Sequence, residues 1–241
     1  MTLPLRVEPF TEDFMGTLSW GVLGNLLLRI SEKHATANEY GYEALIQKNK
    51  AWVLSRLSIV MSELPKTYDE FTLSTWVTNS FRQFTTRNYT MRKASGEVLG
   101  YATSVWAMID TQTRAPYNID QFDVKGTFAE RIVADDVPIA PPERIRLRAI
   151  EPVASYTTGV SDIDINGHVN SIRYLQLLLN LFPIEKYRQE RLVRIDIMYA
   201  KEAYCGDELR LFLEHQEGGK YATQIVNVTN EVVVKALFYF E

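Results

Sequence analysis

Apolar residues in the first half of the chain follow first a helical and then a strand-like period. Apolar side chains three or four residues apart predict a helix near residues 18–32, and a shorter helical pattern follows at residues 39–47. The apolar face of the first helix consists of Leu23, Leu26, Leu27 and Ile30. Runs containing many Val, Thr, Tyr, Phe and Trp residues then predict four strands, near residues 52–62, 69–79, 83–93 and 97–110.

The second half repeats this order of elements. A strand is predicted near residues 153–158 and a helix from about residue 168. Four further strands are predicted near residues 192–200, 207–216, 220–229 and 231–240. A glycine-containing turn separates two strands in each half: Ala94-Ser95-Gly96 in the first and Glu217-Gly218-Gly219 in the second.

A sequence repeat supports two similar domains. Arg56 precedes Asp69 by the same number of residues as Arg194 precedes Asp207, and each aspartate is followed by a glutamate. One helix followed by consecutive antiparallel strands, twice, predicts an α+β protein in which each sheet wraps around a central helix. We place the first repeat at residues 1–115, a proline-containing linker at 116–150 and the second repeat at 151–241.

The composition is that of an ordinary globular protein. The 241 residues are 46% hydrophobic and 23% charged, with a formal net charge of −4. This charge argues against nucleic acid as the main partner. The sequence contains no glycine-rich phosphate loop and no metal-ligand cluster, so we expect neither a nucleotide nor a metal cofactor.

Location is predicted from the absence of targeting patterns. Residues 1–8 lack the basic-then-apolar order of a signal peptide, and no apolar run reaches the roughly 18–20 residues that a membrane span needs. The single cysteine, Cys205, excludes an internal disulfide and fits a reducing compartment. We therefore expect a cytoplasmic protein without a membrane span.

The most informative motif lies in residues 161–170. It spaces Asp164, Asn166 and His168 two residues apart, just before the second predicted helix. A carboxylate, an amide and an imidazole would converge near free backbone N–H groups and the positive end of a helix dipole, which suits hydrolysis of an activated acyl group. The same residues could instead form only a polar turn and a helix cap.

With these motifs, the chain resembles the acyl-acyl-carrier-protein thioesterases over nearly its whole length. The second-half motif at residues 164–170, with Tyr174 following, is similar to the active-site segment of that family. Other segments that carry the resemblance are residues 52–57, 102–108, 111–114, 199–202 and 206–207.

The resemblance implies a tandem hotdog fold, an acyl pocket built largely by the first repeat and chemistry in the second. It also implies hydrolysis of the thioester of fatty acyl carrier protein, which releases a free fatty acid and ends chain elongation. A homodimer is compatible with it, because hotdog sheets often pair.

The resemblance assigns roles to four residues. Asp164 would attack the thioester directly or orient a water molecule, and Asn166 would position substrate or water. His168 would transfer a proton or donate a hydrogen bond to the carbonyl. Glu202 would activate water, although a glutamate beside Lys201 could also be merely one half of a solvated pair. The sequence does not decide between covalent and direct-water routes.

Alternative functions stay open at this point. Acyl-CoA thioesterases of the hotdog type share the aspartate, glycine, histidine, valine and final asparagine of this motif, but Asn166 favours a carrier-protein substrate. A dehydratase on the same fold fits Asn166 and Glu202 less well. An acyl-binding protein without turnover is the non-enzymatic alternative.

A cysteine nucleophile is not expected. In the family a cysteine often follows the glutamate directly, whereas this chain has Ala203 there. Cys205 lies two residues further on, about 6–7 Å away along an extended strand.

Two groups of residues are candidates for binding. Leu23, Leu26, Leu27 and Ile30 would line the acyl tunnel by analogy with the family, or simply form core. Arg144, Arg146 and Arg148 alternate along the linker and would face one side of an extended segment. They could dock the acidic acyl carrier protein, or be a solvated edge.

Overall fold

The computed structural model describes residues 1–122 and 128–241, which form two compact units, Met1–Ala140 and Pro141–Glu241. The division between them falls within the predicted linker at 116–150. Its residues 123–127 lie outside the described residues. Each unit is described separately.

The first unit contains one antiparallel sheet and a long helix. Its strands lie in the order β1-β3-β4-β5-β2, and each neighbouring pair is antiparallel. In chain order, the elements are β1 (Thr2–Arg6), α1 (Trp20–Ala37), α2 (Tyr42–Ile46), β2 (Lys50–Met61), β3 (Glu70–Phe81), β4 (Phe84–Lys93), β5 (Val98–Asp110), α3 (Ile119–Phe122) and a 3₁₀ turn (Ala129–Arg131).

Helix α1 forms where the apolar period predicts it. The Ser19 hydroxyl accepts a hydrogen bond from the Val22 N–H at 3.3 Å and so caps the first turn. Three of the four predicted apolar-face residues are almost fully buried: Leu23, Leu27 and Ile30. Leu26 is half-buried. The helix contacts β3 of its own sheet and supplies a large share of the core of this unit.

The second unit has the same strand order. Its sheet runs β6-β8-β9-β10-β7, with antiparallel neighbours. The elements are β6 (Ala154–Thr157), a 3₁₀ turn (Val160–Asp162), α4 (Ser171–Leu179), α5 (Ile184–Gln189), β7 (Leu192–Tyr199), β8 (Glu208–Gln216), β9 (Lys220–Asn227) and β10 (Val232–Phe240). The predicted α+β class is confirmed, and so is the repeated order of a helix followed by strands.

Two features of the elements differ from the prediction. Helix α4 begins at Ser171 rather than near residue 168, because the Asn170 side chain accepts a hydrogen bond from the Ile172 N–H at 2.8 Å and caps the helix there. Strand β1 and helices α3 and α5 are not among the predicted elements. No described helix is long and apolar enough to cross a membrane.

Candidate active site

The predicted catalytic motif forms a tight loop between Asp162 and α4. An antiparallel bridge pairs Ile163 with Val169, and the Asp164 N–H donates to the His168 carbonyl at 2.8 Å. Gly167 adopts φ +80°, a left-handed conformation that glycine accommodates without strain. The loop therefore turns back on itself and presents residues 164–168 at one end of the second unit.

The Asp164 carboxylate organises this loop. Its Oδ1 accepts hydrogen bonds from the backbone N–H of Asn166 at 2.8 Å and of His168 at 3.4 Å. This is the Asx-type turn that the polar-turn alternative predicts. The helix cap, in contrast, is Asn170. Asp164 thus has a demonstrated structural role, which is compatible with a second role at a substrate.

His168 and Glu202, two of the predicted catalytic residues, are in direct contact. The imidazole Nε2 lies 3.3 Å from Glu202 Oε2, and the side chains are 18% and 31% exposed. The Tyr204 ring meets the imidazole edge-on at a centroid distance of 5.1 Å. A partly exposed imidazole against a carboxylate can exchange a proton with a bound molecule while its orientation stays fixed.

Backbone and side-chain hydrogen bonds hold these two residues together. The Val169 N–H donates to the Ala203 carbonyl at 2.8 Å, so the residue after His168 is tied to the residue after Glu202. The buried Tyr174 hydroxyl of α4 accepts a hydrogen bond from the Ala203 N–H at 3.0 Å. Burial, with smaller contributions from neighbouring carboxylates, raises the pKa of Tyr174 above its usual value, so the phenol stays neutral.

Lys201 does not neutralise Glu202. The lysine forms its ion pair with Glu231, while Glu202 faces His168. The contacts that the structure describes thus give the two neighbouring side chains different partners, and the role of Glu202 stays a prediction.

A buried ion pair anchors the start of the loop. The Asp162 side chain is inaccessible and lies 2.5 Å from Arg173 Nε. It also accepts from the Tyr156 hydroxyl at 2.9 Å and the Gly159 N–H at 2.7 Å. Burial alone would raise the pKa of Asp162, but these hydrogen bonds outweigh it, and the net pKa is lowered. Sequence reasoning missed this cluster because no local motif marks it.

Asn166 and Cys205 lie at the surface. Asn166 is exposed at the tip of the loop, next to Ile165, which is 80% exposed. Cys205 is exposed, whereas Ala203 is buried. Among the described residues, no group of three or more His, Cys, Asp and Glu side chains is arranged to hold a metal ion.

Family models match both units of the chain. The acyl-ACP thioesterase N-terminal domain matches residues 5–124, and the C-terminal domain of the same family matches residues 149–240. The chain belongs to the acyl-ACP thioesterase family. The predicted resemblance is confirmed.

Individual proteins similar to this chain support the same family. A palmitoyl-acyl carrier protein thioesterase of Arabidopsis thaliana is 29% identical over 168 residues, which are 67% of this chain and 40% of that protein. The chain therefore spans less than half of that relative. An acyl-ACP thioesterase structure from Bacteroides thetaiotaomicron is 41% identical, with a TM-score of 0.94, and covers 100% of this chain and 97% of that one.

A more distant structure supports the fold. The 12:0-ACP thioesterase of Umbellularia californica superimposes with a TM-score of 0.89 at 18% identity, covering 100% of this chain and 96% of that one. The two units are the hotdog units that the resemblance implies.

Of the predicted tunnel residues, Leu23, Leu27 and Ile30 lie in the core of the first unit and Leu26 is half-buried. One cavity beside α1 is lined by Leu28, Ser31 and Ala35, and Leu26 lines a second one together with Val22 and Arg29. Contact of that apolar face with an acyl chain stays a prediction.

The three linker arginines lie on one exposed edge. Arg144, Arg146 and Arg148 are all exposed, and the residues between them are half-buried. The segment follows β8: the Arg148 N–H donates to Glu214 Oε2 at 2.5 Å, and Gln216 Nε2 donates to the Arg146 carbonyl at 2.9 Å. Exposure therefore alternates along the segment, whereas a shared direction of the three side chains and docking of a carrier protein there stay predictions.

Proposed function

We propose that this protein hydrolyses the thioester of fatty acyl carrier protein and releases a free fatty acid. The observation that carries the proposal is the His168–Glu202 pair, 3.3 Å apart, beside the Asp164 loop in a member of the acyl-ACP thioesterase family. The names of the relatives support the substrate: one is a palmitoyl-acyl carrier protein thioesterase and another a 12:0-ACP thioesterase.

The proposed chemistry is attack by water on the thioester carbonyl. Glu202, with His168 against it, accepts a proton from the water as the new C–O bond forms. The C–S bond then breaks, and the proton passes through the pair to the departing thiolate. The products are the fatty acid and the free carrier-protein thiol, so atoms and charge balance.

Asp164 orients rather than attacks in this scheme. Its Oδ1 already accepts two backbone hydrogen bonds, which stabilise the carboxylate and reduce its nucleophilicity. Asn166, exposed at the loop tip, would contact the incoming substrate or water through its amide. His168 would also be able to donate to the carbonyl oxygen after it takes up the proton.

The carrier protein would dock on the exposed arginines. Arg144, Arg146 and Arg148 present three positive charges on one edge, and acyl carrier protein is acidic. Reversal of all three charges should raise KM for carrier-protein substrates and leave hydrolysis of small thioesters unchanged. An unchanged KM for the carrier-protein substrate would reject this surface.

A thiol-release assay tests the activity. Acyl carrier proteins with a ladder of acyl chains, and the same chains on CoA, are offered to the wild type and to the Asp164→Ala variant. We expect higher kcat/KM with carrier protein than with CoA, and a loss of turnover in the variant. Preference for CoA would indicate an acyl-CoA thioesterase. Binding without thiol release from any thioester would indicate an acyl-binding protein.

A further inference from the structure

The first unit contains a cavity whose lining combines a buried cation with aromatic walls. The cavity lies between the C-terminal half of α1 and one face of the sheet. Trp52, Trp106 and Phe128 supply aromatic surface, and Arg87 of β4 supplies the charge. An acyl chain that ends in a methyl group would meet this guanidinium without pairing its charge.

Arg87 is buried without a carboxylate partner. The residue is 7% exposed, and its hydrogen bond runs from Nη1 to Thr75 Oγ1 at 3.3 Å. Among the residues that the structure describes, no carboxylate lies within ion-pair distance of it, although the charge of Glu32 acts on Arg87 from further away and opposes the lowering of its pKa by burial. Two other arginines with limited exposure, Arg173 and Arg194, lie against Asp162 and Asp196. Burial of a charge without a partner lowers the free energy of unfolding, so such a charge in a folded protein generally indicates a binding or catalytic role.

The other charged groups around the cavity are already engaged or neutral. Glu32 Oε1 accepts from the Tyr42 N–H at 2.8 Å and from the Thr36 hydroxyl at 2.9 Å. Arg131 donates to the Asn38 carbonyl. Burial, followed by the charge of Arg87, lowers the pKa of His34 to about 4, so this imidazole is neutral at pH 7.

We propose that this cavity binds an organic monocarboxylate with a small apolar body. The carboxylate pairs with the Arg87 guanidinium, whose planar fork matches two carboxylate oxygens. The apolar body lies against Trp52 and Trp106. Arg87, Arg131 and Glu32 together give the lining a net charge of about +1 with His34 neutral, which matches a monocarboxylate better than a phosphate. The site lies in the first unit, and its occupancy does not depend on the proposed hydrolysis.

Binding of hexanoate to the full chain tests the proposal, with hexanamide as its neutral analogue and inorganic phosphate as the anion without an apolar body. Calorimetry gives Kd, and the change in total tryptophan fluorescence on binding, to which Trp52 and Trp106 of the cavity contribute, gives a second readout. We expect hexanoate to bind about tenfold or more tighter than hexanamide, as a charge-assisted hydrogen bond implies. Phosphate should bind more weakly than hexanoate. Equal affinity for acid and amide, or no binding of hexanoate, would overturn the proposal.

Matched variants locate the binding. Arg87→Met should abolish the preference for the acid, whereas Arg92→Met, an exposed arginine of the same strand, should retain it. His168→Ala should also retain it. Hexanoate binding that survives Arg87→Met but disappears in His168→Ala would place the ligand at the thioesterase site and reject the proposal.

A measurement on the wild type is decisive if Arg87→Met does not fold. Hexanoate beside Arg87 should raise the pKa of His34, because a nearby carboxylate favours the charged imidazole. Titration of the His34 ring by NMR, with and without saturating hexanoate, measures this shift. An unchanged His34 pKa at saturation would contradict binding in this cavity.

Discussion

The Tyr174 hydroxyl accepts a hydrogen bond from the Ala203 N–H at 3.0 Å, and this contact joins helix α4 to the residue that follows Glu202. The helix also begins directly after the His168 loop. The same tyrosine therefore fixes both partners of the His168–Glu202 pair through the backbone. It is a positioning residue, since its contact is with the chain and not with the reacting atoms.

Tyr174→Phe tests this positioning role. Removal of the hydroxyl leaves the buried Ala203 N–H without its acceptor, which costs about 1–3 kcal/mol of stability. We expect kcat to fall about tenfold with little change in KM, because small displacements of catalytic groups slow the chemical step. Steady-state kinetics and urea unfolding measure the two effects.

The control is Tyr187→Phe in α5, whose hydroxyl donates to the Leu179 carbonyl at 2.8 Å. This variant should also lose stability but keep kcat. Equal losses of kcat in both variants would show that Tyr174 acts only through stability.

Glu202→Gln should reduce kcat by about 10²–10⁴-fold, the usual contribution of a general base. The substitution keeps the size of the side chain and removes its basicity. Glu231→Gln is the matched control. The Glu231 carboxylate pairs with Lys201, which lowers the pKa of Glu231 to about 2. Among the described hydrogen bonds and ion pairs, Glu231 has no contact with His168. Near wild-type turnover of Glu202→Gln would refute the proposed base.

The sequence predicts helices and strands better than it predicts the contacts between them. Runs of β-forming residues predict the long strands and a helical apolar period predicts α1, because both signals are local, whereas the caps Ser19 and Asn170 are found only in the structure. Strand β1 escapes prediction because Pro4 lies within it and it pairs only with β3 in its sheet.

Long-range pairing is the part that local patterns do not contain. Whether Lys201 forms its ion pair with Glu202 or with Glu231 depends on which strand ends lie together in the folded unit. Arg87 similarly resembles an ordinary polar position of a strand, and only the fold shows that it is buried without a carboxylate partner among the described residues.

Asp162→Asn should destabilise the second unit by about 2–4 kcal/mol, because it leaves Arg173 without its charge partner at a buried site. Urea denaturation followed by far-UV circular dichroism measures the loss. Glu185→Gln, which removes an exposed ion pair with Arg188, should change stability by less than about 0.5 kcal/mol. If the two variants were equally stable, the buried pair would not anchor the loop.

Cys205→Ser should retain full turnover. The thiol is exposed, and the site pairs His168 with Glu202. The same thiol-release assay applies, and a thiol-blocking reagent should likewise leave the wild type active. Loss of turnover in a folded Cys205→Ser variant would restore a cysteine nucleophile to the mechanism.

Acidification should destabilise the first unit through His34. The pKa of His34 is lowered from 6.5 to about 4, first by burial and then by the charge of Arg87. As the pH falls below 6.5, the unfolded chain takes up a proton that the folded chain does not, so stability is lost between pH 6.5 and 4. The full shift corresponds to roughly 3 kcal/mol, and because His34 is only half-buried we expect about 1–2 kcal/mol.

The control for this titration is His34→Gln, which cannot take up the proton. As the pH is lowered from 7 to 4, the wild type should lose more unfolding free energy than the variant. The contributions of carboxylates present in both proteins cancel in this difference. Arg87→Met should reduce the effect, because removal of the neighbouring positive charge raises the pKa of His34 toward its usual value. A pH-independent difference between wild type and His34→Gln would mean that His34 titrates alike in the folded and unfolded chains.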